Sequence, residues 1–200
     1  MELTAKDRKQ IKESIRGKYT KVARNPEGLF KYPTGRLGLE TLKYDKEFVQ
    51  TLPPAVITSY CGVGNPFTLG PISEAEVVLD IGCGAGVDTI VAGHKVGPKG
   101  KVTGIDTVPE MLAKAKANVR MMDLKNVTLL EASAEKLPFP DSGFDVVISN
   151  GVFNLVPDKP RAVAEAFRVL RPGGRFMIAD QVLVGQPSSD NRARIKSWFR

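Results

Sequence analysis

From about residue 74 onward, short apolar runs alternate with longer stretches that have a helical pattern. The run from Val77 to Ile81 is mostly Val, Leu and Ile, which is typical of a strand covered on both faces in a parallel sheet. Strands are predicted near 76–81, 101–106, 127–131, 144–149 and 175–182, and helices near 87–96, 109–122 and 160–170. This alternation predicts an α/β fold, a doubly wound and mostly parallel sheet with right-handed crossovers.

The first 70 residues have a different pattern. Ile11, Ile15, Tyr19 and Val22 recur at helical spacing among many basic residues, which predicts an amphipathic helix with a solvated basic face. An RNA contact, an acidic partner and a membrane surface are the alternative roles for that face. Prolines and glycines then predict a turn-rich stretch. The chain therefore divides into an N-terminal helix and lid segment, 1–70, and an α/β domain, 71–200.

Composition narrows the class of protein. The chain has 200 residues, of which 42% are hydrophobic and 26% charged, as in ordinary globular domains. No apolar run approaches the roughly 20 residues of a membrane span. The two cysteines, Cys61 and Cys83, make no disulfide framework, and we expect a cytoplasmic protein with no membrane association. The net charge of +7 is concentrated in the first helix, where no aromatic platform for single-stranded nucleic acid is interleaved.

A glycine-rich loop follows the first strand of the α/β domain. Gly82, Gly84 and Gly86 allow a tight turn and a close approach of the backbone to a ligand, and a helix opens directly after them. The spacing G-x-G-x-G differs from the dinucleotide fingerprint G-x-G-x-x-G. Asp80 lies two residues before the first glycine, where a carboxylate repels a pyrophosphate but suits a ligand that carries an ammonium group.

A second acid supports this interpretation. Asp106 ends the next strand, about twenty residues after the loop, where a doubly wound fold places the group that bonds ribose hydroxyls. The ligand should therefore contain a ribose and a cationic end, and S-adenosylmethionine fits both requirements.

Five segments in order carry a family resemblance: 77–86, 104–106, 133–139, 144–150 and 168–174. They resemble the successive motifs of class I S-adenosylmethionine-dependent methyltransferases. Segments 84–89, 106–112 and 150–160, with Gly64-Asn65-Pro66 upstream, resemble the arsenite methyltransferases within that superfamily. The resemblance implies a Rossmann-like fold, a cytoplasmic enzyme, and S-adenosylmethionine as the cofactor, which leaves as S-adenosylhomocysteine.

The resemblance also assigns roles to individual residues. The implied cofactor-binding residues are Asp80, Gly82, Cys83, Gly84, Gly86, Asp106, Thr107, Met111, Ala134, Glu135 and Asn150. The glycines would cradle the methionine portion, Asp80 its ammonium, Asp106 the ribose, and Met111, Ala134 and Glu135 the adenine.

Each role has a structural alternative. The glycines could form only a turn, Asp106 could cap the next helix, Met111 could belong to the core, and Glu135 could be a solvated loop acid. His94 lies at the far end of the helix after the glycine loop, and we expect it at the surface. A sulfonium methyl is electrophilic without protein help, so no catalytic base is predicted.

The methyl acceptor is less well defined. Arsenite methyltransferases carry cysteines at positions that read Val63 and Gly151 here, and a third beyond the end of the chain. Cys61 could substitute for the first but could equally be an ordinary loop thiol. Cys61, Asn65 and Asn154 are the candidate acceptor-binding residues, and no metal site is predicted. A small-molecule methyltransferase is the leading hypothesis, with a metalloid, a quinone-like compound or a thiol as acceptor.

Two alternative functions remain open, a nucleic-acid methyltransferase and an inactive domain that binds S-adenosylmethionine. The strand at 144–149 continues as Asn150-Gly151-Val152-Phe153, which lacks the Asn-Pro-Pro-Tyr signature for a flipped adenine.

Class I methyltransferases usually continue past the Pro-Gly-Gly strand, whereas here 196–200 resembles the start of another helix. We expect a C-terminally truncated sheet, from a stop codon or a misread selenocysteine codon, or a homodimer that completes the exposed edge.

Overall fold

The computed structural model describes residues 3–182 and 184 of the chain. Its helices are α1 (Ala5–Arg24), α2 (Gly35–Thr41), α3 (Lys46–Thr51), α4 (Pro54–Thr58), α5 (Val87–Lys95), α6 (Pro109–Met121) and α7 (Lys159–Val169), with a 3₁₀ turn at Pro66–Thr68. Its strands are β1 (Val77–Ile81), β2 (Lys101–Asp106), β3 (Val127–Glu131), β4 (Phe144–Asn150) and β5 (Leu170–Ala179).

The described strands form one parallel sheet in the order β3-β2-β1-β4-β5. This confirms the predicted doubly wound α/β fold. The chain moves outward in one direction from β1 to β3 and then returns to place β4 on the other side of β1. Ligands of such sheets bind beyond the carboxyl ends of the strands at this reversal, which is where the glycine loop lies.

Side chains alternate between the two faces of β1 because successive residues of a strand point in opposite directions. Val78 packs in a cluster with Ala92 and Val96, which lie on and just after α5. Leu79 packs in another with Ala162 and Ala166 of α7. Helices therefore cover both faces, as the almost unbroken apolar run of β1 predicted.

The last strand begins earlier than the pattern predicted. Leu170 already pairs with Phe144, and the register then shifts so that Val146 pairs with Arg175. The strand β5 advances five residues while β4 advances two, so 171–174 forms a bulge that includes Gly173 at φ 79°. The Pro-Gly-Gly sequence thus interrupts the strand instead of preceding it.

The N-terminal region contains the predicted amphipathic helix and three helices that were not predicted. Helix α1 begins with a capping box between Thr4 and Asp7, and its apolar face buries Ile11 and Val22. Helices α2, α3 and α4 lie in the stretch expected to be turn-rich. Such short helices are unstable alone, and these are held by packing against α5, so a local pattern does not reveal them.

No helix among the described residues is long and apolar enough to cross a membrane. The helix start expected at 196–200 lies outside the described residues.

Candidate functional site

A cavity of about 420 Å³ lies at the carboxyl ends of β1, β2 and β4. Its floor is the glycine loop after β1, and the loop after β3 forms one wall. Lys12, Ile15, Arg16 and Tyr19 of α1 line it from the opposite side, so the N-terminal helix covers this part of the sheet. That this helix acts as a lid over a bound ligand stays a prediction.

The glycine loop requires glycine for two physical reasons. Gly82, Gly84 and Gly86 have φ values of 72°, 53° and 82°, a region that favours glycine. A Cβ added at Gly82 would lie 2.3 Å from Cγ2 of Val152, and one at Gly86 would lie 3.1 Å from Cβ of Ala115. Gly82 and Gly84 line the cavity, whereas Gly86 caps α5 behind it.

Asp80 is a buried acid at the base of this loop. It is 2% exposed, lines the cavity, and its Oδ2 accepts the hydroxyl of Thr89 at 2.6 Å. It has no ion pair among the residues that the structure describes. Burial, and then the neighbouring Asp88 carboxylate, raise the pKa of Asp80 to about 8. In the ligand-free protein this carboxyl group therefore lacks a cationic partner among the described residues, and it ionises readily only when a positive charge is brought next to it.

Asp106 ties the glycine loop to the following helix. Its Oδ2 accepts the N–H of Gly84 at 2.9 Å, and its Oδ1 accepts the N–H of Val108, also at 2.9 Å. Val108, and not Asp106, occupies the cap position of α6. Burial raises the pKa of Asp106, while these backbone hydrogen bonds lower it. Asp106 and Thr107 both line the cavity, so the acid can hold the loop and still face a ligand.

The residues expected around an adenine also converge on the cavity. Met111 is 1% exposed and packs in a cluster with Val22, Ala85 and Val108, yet it also lines the cavity. The two interpretations of Met111, core and binding surface, therefore coexist. Ala134 lines the cavity at 7% exposure, and Cys83 does so at 8%.

Glu135 joins the lid to the domain beneath it. Its side chain is 13% exposed, so it is not a solvated loop acid. One carboxylate oxygen accepts from Nζ of Lys12 on α1, and the other accepts the backbone N–H of Asp158 at 3.0 Å. Arg8 of α1 pairs with the carboxylate of Asp158 at 3.4 Å. Helix α1 is thus held over the cavity by two ion pairs that meet near Glu135.

Asn150 lies at the end of β4 and lines the cavity beside Asp88. Its side-chain amide bonds the backbone of Val63 and Gly64 in the N-terminal region and the Asp88 carboxylate on α5. Asp88 is buried at 8% exposure and also accepts the Tyr44 hydroxyl at 2.6 Å. Asp88 was not among the predicted site residues, although its position in the first turn of α5, two residues after Gly86, indicated that it lies beside the glycine loop.

Of the three candidate acceptor-binding residues, only Cys61 lines the cavity. Burial raises the pKa of its thiol to about 12. Asn65 lies outside the cavity lining and caps the 3₁₀ turn through the N–H of Phe67. Asn154 also lies outside it, and its backbone N–H donates to Asp180 at 3.1 Å. The exposed ring of His94 packs against Phe48 with centroids 4.8 Å apart, away from the cavity.

The matching protein family and two curated relatives of this chain are all methyltransferases. A methyltransferase-domain family matches residues 72–200. An arsenite methyltransferase of Halobacterium salinarum is 36% identical over 191 residues, which are 88% of this chain and 49% of the relative. A demethylmenaquinone methyltransferase of Listeria monocytogenes is 42% identical over 110 residues, 54% of this chain and 46% of that protein. The chain spans about half the length of the curated relatives it matches.

Solved structures agree with these relatives. An S-adenosylmethionine-dependent methyltransferase from Aquifex aeolicus is 31% identical with a TM-score of 0.54, and the match covers 62% of this chain and 69% of that one. An arsenic(III) S-adenosylmethionine methyltransferase from Chlamydomonas reinhardtii is 36% identical with a TM-score of 0.57 and covers 74% of this chain and 50% of the other.

Proposed function

Because the chain belongs to the methyltransferase-domain family and has the class I fold of S-adenosylmethionine-dependent methyltransferases, we propose that it transfers a methyl group from S-adenosylmethionine to a small molecule. The observation that carries the proposal is Asp80. A buried carboxylate without a cationic partner among the described residues, at the base of a glycine loop, suits a ligand that brings its own positive charge.

The cavity fits such a cofactor in three further respects. Its volume of about 420 Å³ lies within the range of small-molecule sites. The N-terminus of α5 faces the glycine loop and suits the carboxylate end of an amino acid. Asp106 lies at the carboxyl end of β2, the position suited to ribose hydroxyls. In this assignment Met111 and Ala134 provide apolar contacts for the adenine.

The cofactor supplies a sulfonium whose methyl group is already electrophilic. The protein's part is to bind, to orient and to exclude water. In this assignment Asp80 neutralises the cationic end, and the Asp106 carboxylate fixes the glycine loop. Tyr19 and Ile15 of α1 cover part of the cavity. His94 is exposed and lies outside the cavity, so it takes no part in moving a proton.

For the acceptor, we propose an organic small molecule, either quinone-like or a thiol. The relatives named above act on arsenite and on demethylmenaquinone, so both chemistries occur among similar proteins. At the two positions where the resemblance places arsenic-binding thiols, this chain has Val63 and Gly151, and a Cβ at Gly151 would lie 3.2 Å from the Val63 side chain. Burial raises the pKa of the Cys61 thiol to about 12, so the thiolate that a metalloid binds is harder to form here than at an exposed cysteine. These features support an organic acceptor over a metalloid.

Titration calorimetry with S-adenosylhomocysteine tests the cofactor. We expect the wild-type chain to bind it, Asp80→Asn to bind it much more weakly, and His94→Ala to bind it like the wild type. Absence of binding to the wild type would refute the proposal.

A radiolabelled methyl-transfer panel tests the acceptor. It compares a demethylmenaquinone analogue, small thiols, arsenite with glutathione, and RNA. Transfer to arsenite or RNA alone would overturn the assignment of an organic acceptor while leaving the cofactor site intact.

A further inference from the structure

A buried hydrogen-bond network joins three parts of the molecule that are distant in sequence. It consists of Asp88 on α5, Asn150 at the end of β4, and Tyr44 and Tyr60 in the N-terminal region. Tyr44, Tyr60 and Asn150 hydrogen-bond the segment of residues 61–65, which we name the 61–65 loop, and Asp88 bonds Tyr44 and Asn150 behind it. Cys61 and Gly62 of that loop line the cavity, and Cys61 packs beside the cluster that contains Val108 and Met111. Val63 of the same loop lies on the acceptor side in the proposed function.

The side-chain amide of Asn150 has every hydrogen-bonding position filled. Its Oδ1 accepts the N–H of Val63 at 2.9 Å and that of Gly64 at 3.0 Å. Its Nδ2 donates to the carbonyl of Gly64 at 2.8 Å and to Oδ2 of Asp88 at 2.9 Å. An amide has two acceptor lone pairs and two donor hydrogens, so no capacity is left for a ligand. Asn150 therefore acts on the 61–65 loop.

Asp88 sets the direction of that amide. One carboxylate oxygen accepts the Tyr44 hydroxyl at 2.6 Å and the other accepts Nδ2 of Asn150. Because a carboxylate only accepts, the amide must turn its nitrogen toward α5 and its oxygen toward the 61–65 loop. The Tyr60 hydroxyl adds a further donor to the carbonyl of Gly64 at 3.0 Å.

At Gly62 and Gly64 the backbone of the 61–65 loop lies so close to neighbouring atoms that any residue with a Cβ would clash. A Cβ added at Gly62 would lie 2.4 Å from Nδ2 of Asn150, and one at Gly64 would lie 2.6 Å from Cβ of Ala179. The loop backbone therefore packs in direct contact with the Asn150 amide and with the end of β5. A small rotation of that amide moves the cavity wall at Cys61 and Gly62.

We propose that Asp88 and Asn150 form a positioning pair that holds the 61–65 loop as the acceptor-side wall of the cavity. The proposal rests on the proposed function for the identity of the two sides. Because Asp88 lies in the first turn of α5, directly after the glycine loop, the pair also links the cofactor side of the cavity to the acceptor side. Neither residue is expected to contact the reacting methyl group.

Exchanging the two side chains gives a direct test. In Asn150→Asp the new carboxylate still accepts from Val63 and Gly64, but it faces the Asp88 carboxylate. In Asp88→Asn the new amide can keep its oxygen toward Nδ2 of Asn150, but the charge that strengthens this hydrogen bond is lost. The double variant places an amide donor at 88 against a carboxylate at 150 and so restores a charged contact between the two residues, while the donor to the carbonyl of Gly64 is still missing. Glu47→Gln on the exposed surface of α3 is the control for loss of one negative charge.

Amide hydrogen exchange of Val63 and Gly64 is the readout, with the amides of β2 as the internal reference for global stability. We expect each single variant to accelerate exchange at Val63 and Gly64 by about tenfold or more relative to β2, since a hydrogen bond to a charged group is lost or opposed. The double variant should recover part of that change relative to Asn150→Asp, and Glu47→Gln should show none.

Two results would overturn the proposal: wild-type exchange at Val63 and Gly64 in both single variants, or a double variant no better protected than the worse single one. Turnover with the acceptor found by the methyl-transfer panel should fall in each single variant and recover in part in the double variant. The wild-type titration with S-adenosylhomocysteine is independent of these measurements. Its failure would refute the proposed function, whereas the exchange pattern alone decides the positioning pair.

Discussion

Replacing Asp80 by Asn should stabilise the folded protein while it weakens cofactor binding. Asp80 is 2% exposed, its hydrogen bond comes from the neutral Thr89 hydroxyl, and its pKa is raised to about 8. The folded state therefore holds the proton more tightly than the unfolded state, where the pKa has its ordinary value of 3.8. Below about pH 4 the Asp80 carboxyl is protonated in both the folded and the unfolded state, so it does not lower the free energy of unfolding. As the pH rises from 4 to 8, the free energy of unfolding falls.

The size of this effect follows from the shift. One pKa unit corresponds to about 1.4 kcal/mol, and pH 7 lies about three units above the unfolded pKa, so the Asp80 carboxyl lowers the stability of the ligand-free protein by about 4 kcal/mol at pH 7. Between pH 5 and pH 7 the cost grows by about 3 kcal/mol. An Asn side chain can accept the same Thr89 hydroxyl and carries no charge at any of these pH values.

Urea unfolding of the wild type and of Asp80→Asn at pH 5, 6, 7 and 8 measures this directly. Groups remote from residue 80 contribute equally to both proteins, so the difference between the two profiles reports Asp80 together with its coupling to the Asp88 carboxylate. We expect the advantage of the variant to increase by about 3 kcal/mol from pH 5 to pH 7 and to level off above pH 8. Glu47→Gln, an exposed acid on α3, provides the control and should give no such slope.

A constant difference between the two profiles at all four pH values would refute the reasoning, because it would mean that Asp80 does not titrate in the folded protein above its ordinary pKa. In calorimetry at pH 8 the variant should lose most of its affinity for S-adenosylhomocysteine, since an amide cannot neutralise an ammonium group. Equal affinity would show that Asp80 is not the partner of the cationic end.

Three further outcomes are expected. Gly82→Ala should lower the free energy of unfolding by about 2 kcal/mol or more and weaken S-adenosylhomocysteine binding, because the new Cβ would meet Val152 and the backbone φ is 72°. Adding Val152→Ala should recover part of the thermal stability. Lys12→Ala should speed the dissociation of S-adenosylhomocysteine in stopped-flow measurements by releasing α1 from Glu135, and high salt should produce a similar change in the wild type but little in the variant. His94→Ala should leave methyl transfer unchanged, and a loss of turnover would place the histidine in the reaction.

Much of the α/β domain could be predicted because its signals are local. The alternation of apolar runs and helical patterns placed four of the five described strands almost at their observed ends. Strand β5 begins earlier than predicted, because it pairs on both sides of the bulge at 171–174, and it ends at Ala179 instead of 182. Gly82, Asp80 and Asp106 could be identified for the same reason: each lies where a strand ends, and strand ends of a parallel sheet meet at one edge. Their assignment to parts of a cofactor stays a prediction.

The N-terminal region was predicted less well. Helix α1 has a sustained apolar stripe, whereas α2, α3 and α4 have five to seven residues each and too few turns for a periodic signal. Their stability comes from burying Leu39, Val49 and Val56 against α5. That contact depends on residues about 30 to 50 positions further along the chain, so it is not encoded in the local pattern.

The sequence by itself therefore determined the sheet, the glycine loop and the acids beside it, since each follows from the conformational preferences of adjacent residues. Only the tertiary structure decided what Asn150 does. By its position alone this residue faces the cavity, but its amide is fully used by Val63, Gly64 and Asp88, which are 62 to 87 positions away. Hydrogen bonds between such distant residues exist only after the chain has folded, because the geometry of three separate elements sets which donor meets which acceptor.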